Sequence, residues 1–226
     1  MVVQGGVQKP VIDYGKSYAP VCCIGSIRVL RAMANEHGWP VYQLDVQVPF
    51  LKSKITSDVY VNAAPGQEAT DLETGVPMVY KLRRGLYGLA QSPILCYDTI
   101  DVALVTLGFQ TTQSNPLVYT NGSNDTIAIL TLCVDDILIT GGDAEVLKKL
   151  KTSLMDRFAM TDMGEVNRIL GMIFTRDCEK GTLTIDQKDF ALNTLEQFGM
   201  LDSKTVHTPG YGLELSTEQP GEKLLG

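Results

Sequence analysis

The chain has 226 residues, of which 44% are hydrophobic and 20% charged, and a formal net charge of −7 at pH 7. This composition is typical of a folded protein of one or two domains. The negative charge argues against a protein that coats nucleic acid with a basic surface, so any nucleic-acid site must be local.

Cysteine and histidine usage argues against a structural zinc site. The cysteines at 22, 23, 96, 133 and 178 form no CxxC pair, and the two histidines stand apart at 37 and 207. We interpret the cysteines as reduced thiols in the core and expect an intracellular protein. The N-terminus has no apolar signal segment, and two aspartates interrupt the longest apolar run, so we expect no membrane span.

The first half of the chain predicts a helix, a strand and a hairpin. From 26 to 38, apolar residues recur at helical spacing and a glycine closes the segment. The following VYQLDVQVPF alternates with the period of a strand and places Asp45 near the strand end, just before Pro49. The segments DVYVN and MVYKLRR flank a loop from 63 to 77 and indicate a hairpin-like excursion.

The second half predicts further helices around a buried hairpin. Ser92 as N-cap and Pro93 in the first turn indicate a helix that ends at Gly108. Two strands flank the turn-forming NGSND, and Asp135 and Asp136 join the second of them to the strand ILIT. The helix DAEVLKKLKTSLMDRF, a strand pair near RILGMIF and LTI, and the helix DFALNTLEQFG follow.

The aspartates are the candidate functional residues. The order of elements suggests an α+β fold, an antiparallel sheet with helices on one face, in which adjacent central strands bring Asp45 near Asp135. Clustered carboxylates repel one another, but two magnesium ions roughly 3.5 to 4 Å apart would neutralise them and support phosphoryl transfer. The alternative is that the Asp-Asp pair is a polar turn, because aspartate is common in turns.

Four segments occur in an order and spacing that resemble a known family. They are LDVQVPFL, KLRRGLYGLAQSP, LTLCVDDILITG and DMGEVNRILGM. They resemble the reverse transcriptase of copia-type retrotransposons, which typically shows LDVKTAFL, KLKKSLYGLKQAP, LLLYVDDMLITG and DLGEAKYFLGI. The resemblance runs from VVQGGVQ to VHTPG, nearly the whole chain. It implies an RNA-directed DNA polymerase with a palm fold, which uses two Mg²⁺ or Mn²⁺ ions.

The resemblance assigns roles to individual residues. It implies that Asp45, Asp135 and Asp136 are catalytic and hold the metal ions, with the main-chain carbonyl of Val46 as a further ligand. Phe50 matches the aromatic residue that excludes a ribose 2′-hydroxyl. Contacts to nucleotide or template are implied for Tyr87, Gly88, Gln91, Lys81, Arg83 and Arg84, and the primer grip for Leu170, Gly171 and Met172. Simpler roles fit the same residues: a core aromatic, a glycine turn, a solvated basic face and an ordinary strand pair.

The resemblance also implies partners and domain limits. The partners are a primed RNA or DNA template, dNTPs and, in an intact element, other Pol segments such as integrase and RNase H, with no membrane. We expect a reverse transcriptase domain over 1–200, with partial fingers, palm and the start of the thumb, and a loose tail over 201–226. We expect it in the cytoplasm, including a virus-like particle, or in the nucleus.

Several positions depart from the family pattern. Cys133 stands in place of tyrosine, and Pro49 in place of an alanine whose backbone N–H helps to bind the triphosphate in related polymerases. Ala90 replaces lysine, Gly85 replaces serine and Cys96 replaces tryptophan. The chain starts inside the Arg-rich approach segment, so we expect the basic fingers residues to be absent. A second hypothesis therefore stays open: a catalytically inactive, truncated retroelement remnant that folds as a palm.

Overall fold

The computed structural model describes residues 2–133 and 136–207 and divides into two compact units, 1–185 and 186–226. The helices of the described residues are α1 (Ile24–Glu36), α2 (Ser92–Thr106), α3 (Ala144–Arg157) and α4 (Lys188–Gln197). Their strands are β1 (Val41–Val46), β2 (Tyr60–Asn62), β3 (Val79–Lys81), β4 (Gln110–Thr111), β5 (Val118–Asn121), β6 (Ala128–Cys133), β7 (Asp136–Gly141), β8 (Met160–Glu165), β9 (Arg168–Ile169), β10 (Met172–Asp177) and β11 (Thr182–Asp186).

The main sheet is antiparallel and has the strand order β4-β5-β6-β7-β1-β8. Every residue of β6 is buried, as its unbroken apolar run predicts. The strand β1 lies between β7 and β8, so the aspartate near its end lies inside the sheet rather than at an edge. The predicted α+β fold, an antiparallel sheet backed by helices, is confirmed.

The two faces of the sheet have different neighbours. Tyr119 and Leu130 are cross-strand partners and share a face, and the Tyr119 hydroxyl donates to Asp101 of α2 at 2.7 Å. Thr131 points to the opposite face. There the Sγ of Cys22, just before α1, lies 3.6 Å from its Oγ1. The opposite face is therefore partly covered at the start of α1.

Two helix starts differ in how they are capped. Asp143 caps α3, because its Oδ1 accepts hydrogen bonds from the backbone N–H groups of Glu145 and Val146 at 2.8 and 3.1 Å. The predicted N-cap role of Ser92 is wrong: Ser92 is the first helical residue of α2, and its buried hydroxyl donates to the carbonyl of Leu86 at 2.7 Å.

Two smaller sheets complete the first unit. The strands β2 and β3 pair antiparallel and form the predicted hairpin-like excursion. The strands β9, β10 and β11 form the other sheet, and Arg176 of β10 reaches back to α1. In the second unit, α4 and the residues up to 207 are described, and most of the predicted tail over 201–226 lies outside the described residues.

The cysteines divide into two groups. The side chains of Cys22, Cys96 and Cys133 are buried, as predicted, but those of Cys23 and Cys178 are exposed, so the expectation of core thiols is wrong for these two. Separately, no helix within 2–133 and 136–207 is long and apolar enough to cross a membrane.

Candidate active site

Asp45 and Asp136 face each other on β1 and β7, two neighbouring interior strands of the sheet. They are direct cross-strand partners in the pairing of β1 with β7, and both side chains are half-buried. Opposed residues of an antiparallel pair have Cβ atoms about 4.5–5.5 Å apart and share one face. The strand alternation read from the sequence thus brings two carboxylates together, but only the register shows which residues meet.

Gln43 is a site residue that sequence reasoning missed. Its Nε2 donates a hydrogen bond of 2.8 Å to Oδ1 of Asp136. The strand period places Gln43 on the same face as Asp45, which was a visible signal, but its partner depends on how β1 pairs with β7. The bond holds the Asp136 carboxylate in one orientation.

Asp135 lies outside the described residues, together with residue 134. Asp136 is the first residue of β7 and pairs with Cys133 of β6, so the prediction that it belongs to the connection between the two strands is wrong. Within the described parts of the chain, no three His, Cys, Asp or Glu side chains form a group that could hold a metal ion.

The chain turns sharply after β1 and brings Phe50 against Tyr87. Val48 has a left-handed backbone with φ 50° and ψ 55°, and Pro49 starts a short 3₁₀ turn. The rings of Phe50 and Tyr87 then meet edge to face, with centroids 4.5 Å apart and planes at 75°. Two residues that the sequence assigned separately to sugar and nucleotide contacts therefore form one aromatic pair beside the end of β1.

The segment that contains Gly88 and Gln91 is covered by the N-terminal residues. A Cβ on Gly88 would lie 1.8 Å from the carbonyl oxygen of Val3, so only glycine fits there. The buried Gln91 accepts a hydrogen bond from Nε2 of Gln8 at 3.0 Å and donates to the carbonyl of Asp13 at 3.5 Å. Both residues thus have structural partners in the chain itself, and their contact with nucleotide stays a prediction.

The three predicted template cations are exposed near the β2–β3 hairpin. Lys81 forms an ion pair of 2.6 Å with Asp58, and Arg84 donates to the carbonyl of Lys52 at 3.2 Å. Together with Arg83 they line a cavity of about 470 Å³. The structure groups these cations on one surface, and their contact with template stays a prediction.

The predicted primer grip is a tight turn between β9 and β10. Leu170 and Gly171 both have positive φ, 48° and 74°, and the strands pair through Ile169 and Met172. Leu170 is 44% exposed, whereas Met172 is buried in the core. An exposed leucine in a left-handed conformation is uncommon and marks a strained turn, which often accompanies function. The side chain of Met172 packs in the core, and the contact of this turn with a primer stays a prediction.

Comparison with known proteins decides the family. The family described as "Reverse transcriptase (RNA-dependent DNA polymerase)" matches residues 1–211 of the chain. The chain belongs to the reverse transcriptase family. The resemblance drawn from the four segments is confirmed.

Similar sequences occur in Pol polyproteins of plant transposons. The chain is 34% identical over 209 residues to the "Retrovirus-related Pol polyprotein from transposon RE1" of Arabidopsis thaliana, which covers 92% of the chain and 14% of that protein. It is 36% identical over 218 residues to the "Retrovirus-related Pol polyprotein from transposon TNT 1-94" of Nicotiana tabacum, which covers 96% of the chain and 16% of that protein. The chain therefore spans about one seventh of the length of these relatives.

A solved structure is also similar. It is described as "Structure of apo telomerase from Candida Tropicalis truncated from C-terminal domain", with 12% identity and a TM-score of 0.41. The likeness covers 74% of this chain and 40% of that one.

Cys133 replaces the tyrosine of the reverse transcriptase pattern and is buried below the start of α1. Its free thiol forms a hydrogen bond with the thiol of Cys22. This hydrogen bond lowers the pKa of Cys22 to about 7, although burial opposes the shift. The same bond and burial raise the pKa of Cys133. Two small, buried cysteines therefore pack together at the position where the family pattern has an aromatic ring.

Cys96 replaces the tryptophan of the pattern and leaves space. It lies on the buried side of α2 and lines a cavity of about 370 Å³ that also touches Phe50. The expected loss of a packing group therefore coincides with a cavity next to the aromatic pair.

The conformation of Val48 predicts a stabilising substitution in this reverse transcriptase. A left-handed backbone is unfavourable by roughly 1–2 kcal/mol for an ordinary residue, most of all a β-branched one, whereas asparagine tolerates it. We expect Val48→Asn to raise the free energy of unfolding by about 1 kcal/mol in urea titrations. Val102→Asn, at an exposed position of α2, is the matched control and should change it little. Equal effects of the two changes would contradict the assignment of strain to Val48.

Proposed function

We propose that the chain is the RNA-directed DNA polymerase domain of a copia-type retrotransposon Pol polyprotein, with its catalytic centre at Asp45, Asp135 and Asp136. One observation carries the proposal: Asp45 and Asp136 are direct cross-strand partners on two interior strands of the sheet. Like charges at opposed positions destabilise a sheet. A cation bound between the two carboxylates would offset their repulsion, so a metal site accounts for this arrangement.

The donor atoms fit magnesium or manganese. The carboxylates, with the main-chain carbonyl of Val46, offer only oxygen, which hard divalent cations prefer. Because Gln43 occupies Oδ1 of Asp136, we assign Oδ2 of Asp136 to the metal. Two such ions would lower the pKa of the attacking primer hydroxyl and neutralise charge on the triphosphate and the leaving pyrophosphate.

The chain's other residues would position the substrates. Phe50, supported edge-on by Tyr87, would lie beneath the incoming sugar and collide with a ribose 2′-hydroxyl. The exposed side chains of Lys81, Arg83 and Arg84 would pair with template phosphates. The strained turn at Leu170 would contact the primer end. The remaining partners of the proposal are dNTPs and the other segments of the Pol polyprotein.

The test of the metal site is the stability of the chain with and without divalent ions. In EDTA, Asp45→Asn should raise the free energy of unfolding by up to about 1 kcal/mol, because it removes the like-charge pair. Addition of Mg²⁺ or Mn²⁺ at tenfold excess over its dissociation constant should stabilise the wild type by about 1.4 kcal/mol. The variant should gain much less.

The control is Asp156→Asn, which makes the same change on the exposed side of α3. This variant should respond to the ions as the wild type does. If Asp45→Asn gained as much from Mg²⁺ as the wild type, the metal site would lie elsewhere.

A second function, a palm that binds metal but does not polymerise, is favoured by Pro49. Proline has no N–H to donate to a triphosphate, and Pro49 is buried at the start of its turn. Extension of a primer on an RNA template, with Asp45→Asn as the inactive reference, separates the two. Incorporation by the wild type above that reference supports the polymerase, and none supports the metal-binding palm.

A further inference from the structure

A cavity of about 370 Å³ lies between α2, the main sheet and the extended segment 17–21. Its floor consists of the buried side chains of Cys96, Ile100, Leu117 and Leu132. This volume lies within the range of roughly 300–1,000 Å³ that is usual for small-molecule sites. The four floor residues belong to the hydrophobic core, so close-packed side chains bound the cavity on that side.

The lining excludes charged ligands and does not favour water. Among the residues that the structure describes, no lysine, arginine, aspartate or glutamate lines the cavity, and the hydroxyl groups of its lining come from Ser17, Tyr18 and Tyr97. A charged group would lose its hydration here without a partner, which is strongly unfavourable. A water molecule needs two to four polar partners, which the apolar floor does not provide.

The lining favours a flat, aromatic ligand. The rings of Phe50 and Tyr97 border the cavity, and aromatic pairs gain edge-to-face or offset contacts beyond their buried area. We propose that this cavity is a binding site for an uncharged aromatic molecule of one or two rings, enclosed by α2, Phe50 and the segment 17–21. The hydroxyls at its border leave room for a single polar group on the ligand.

The bound molecule would contact the aromatic pair described above. Phe50 has one side toward the cavity and meets Tyr87 at 4.5 Å between ring centroids. Occupancy would therefore restrict Phe50 whether or not the chain is a polymerase. The binding site does not depend on the proposed function.

The test uses indole as the probe and the whole chain as the protein. We expect a saturable rise in melting temperature and saturable shifts in the NMR signals of Phe50 and Tyr97, with a dissociation constant of roughly 1 mM or tighter. The anionic indole-3-acetate should bind at least tenfold more weakly, because the lining offers its charge no partner.

Cys96→Trp tests the location, since it places an indole ring inside the cavity. It should weaken indole binding at least tenfold, whereas Cys178→Trp, at an exposed cysteine, should bind as the wild type does. If circular dichroism shows that Cys96→Trp does not fold, the smaller Cys96→Phe replaces it, with Cys178→Phe as its control. No saturable response of the wild type up to the solubility of indole, or equal binding by the folded Cys96 variant, would overturn the proposal.

Discussion

Replacing Leu44 with alanine should lower the free energy of unfolding by about 3 to 5 kcal/mol. Leu44 is 0% exposed and lies in β1, between β7 and β8. It is the cross-strand partner of Ile137, which is also buried. Neighbouring strands on both sides hold the backbone in place, so the structure cannot collapse into the space that the leucine leaves. The variant therefore loses the transfer free energy of the removed atoms and is further destabilised by the cavity that remains.

The measurement is urea denaturation followed by circular dichroism. Leu72→Ala, at a fully exposed position of the loop between β2 and β3, is the matched control and should change stability by less than about 0.5 kcal/mol. Since Asp45 follows Leu44 directly, we also expect the variant to bind divalent ions more weakly at temperatures where it begins to unfold. A loss below about 1.5 kcal/mol would show that Leu44 of β1 is not packed in the core between β7 and β8.

The strands of this fold could be predicted where a local sequence pattern determines whether a segment is buried or which face a residue occupies. The buried pair of strands β6 and β7 follows from two apolar runs separated by two aspartates, because long apolar runs of this length must be buried. The face of β1 that carries Asp45 follows from the strand period. Both predictions rest on local sequence patterns. They are correct because the burial of β6 and β7 agrees with the strand propensity of their residues.

What the sequence could not show depends on contacts between distant segments. The bond from Gln43 to Asp136 requires the register of β1 against β7, which a shift by one residue would destroy. Ser92 has the chemistry of an N-cap, but the loop before α2 folds back and offers its hydroxyl the carbonyl of Leu86. A local preference is overridden there because a buried hydroxyl needs a partner.

Arg176 is the second residue whose loss should be strongly destabilising. It lies in β10, and its guanidinium donates to the carbonyl of Trp39 at 2.9 Å and to Oδ1 of Asn35 at 3.1 Å. Weaker bonds of 3.5 Å reach the carbonyls of Ala34 and Asn35. The last carbonyls of a helix have no partner within the helix. Arg176 therefore ties the smaller sheet to the end of α1, directly before β1.

Arg176→Met keeps most of the apolar stem of the side chain but removes every hydrogen-bond donor. Hydrogen bonds from charged groups contribute about 1.5–3 kcal/mol each, so we expect the free energy of unfolding to fall by about 3 kcal/mol. Lys180→Met, which removes an exposed cation paired with Asp177, is the control and should cost less than about 1 kcal/mol. Hydrogen exchange of the backbone amides at 37–39 should become faster first, because the end of α1 loses its hydrogen bonds to Arg176. The stabilisation by Mg²⁺ expected for the proposed metal site should persist in Arg176→Met, because that site would depend on the pairing of β1 with β7. If that stabilisation disappeared while the chain remained folded, the end of α1 would have to hold β1 in register, and the carboxylate pair would depend on Arg176 as well.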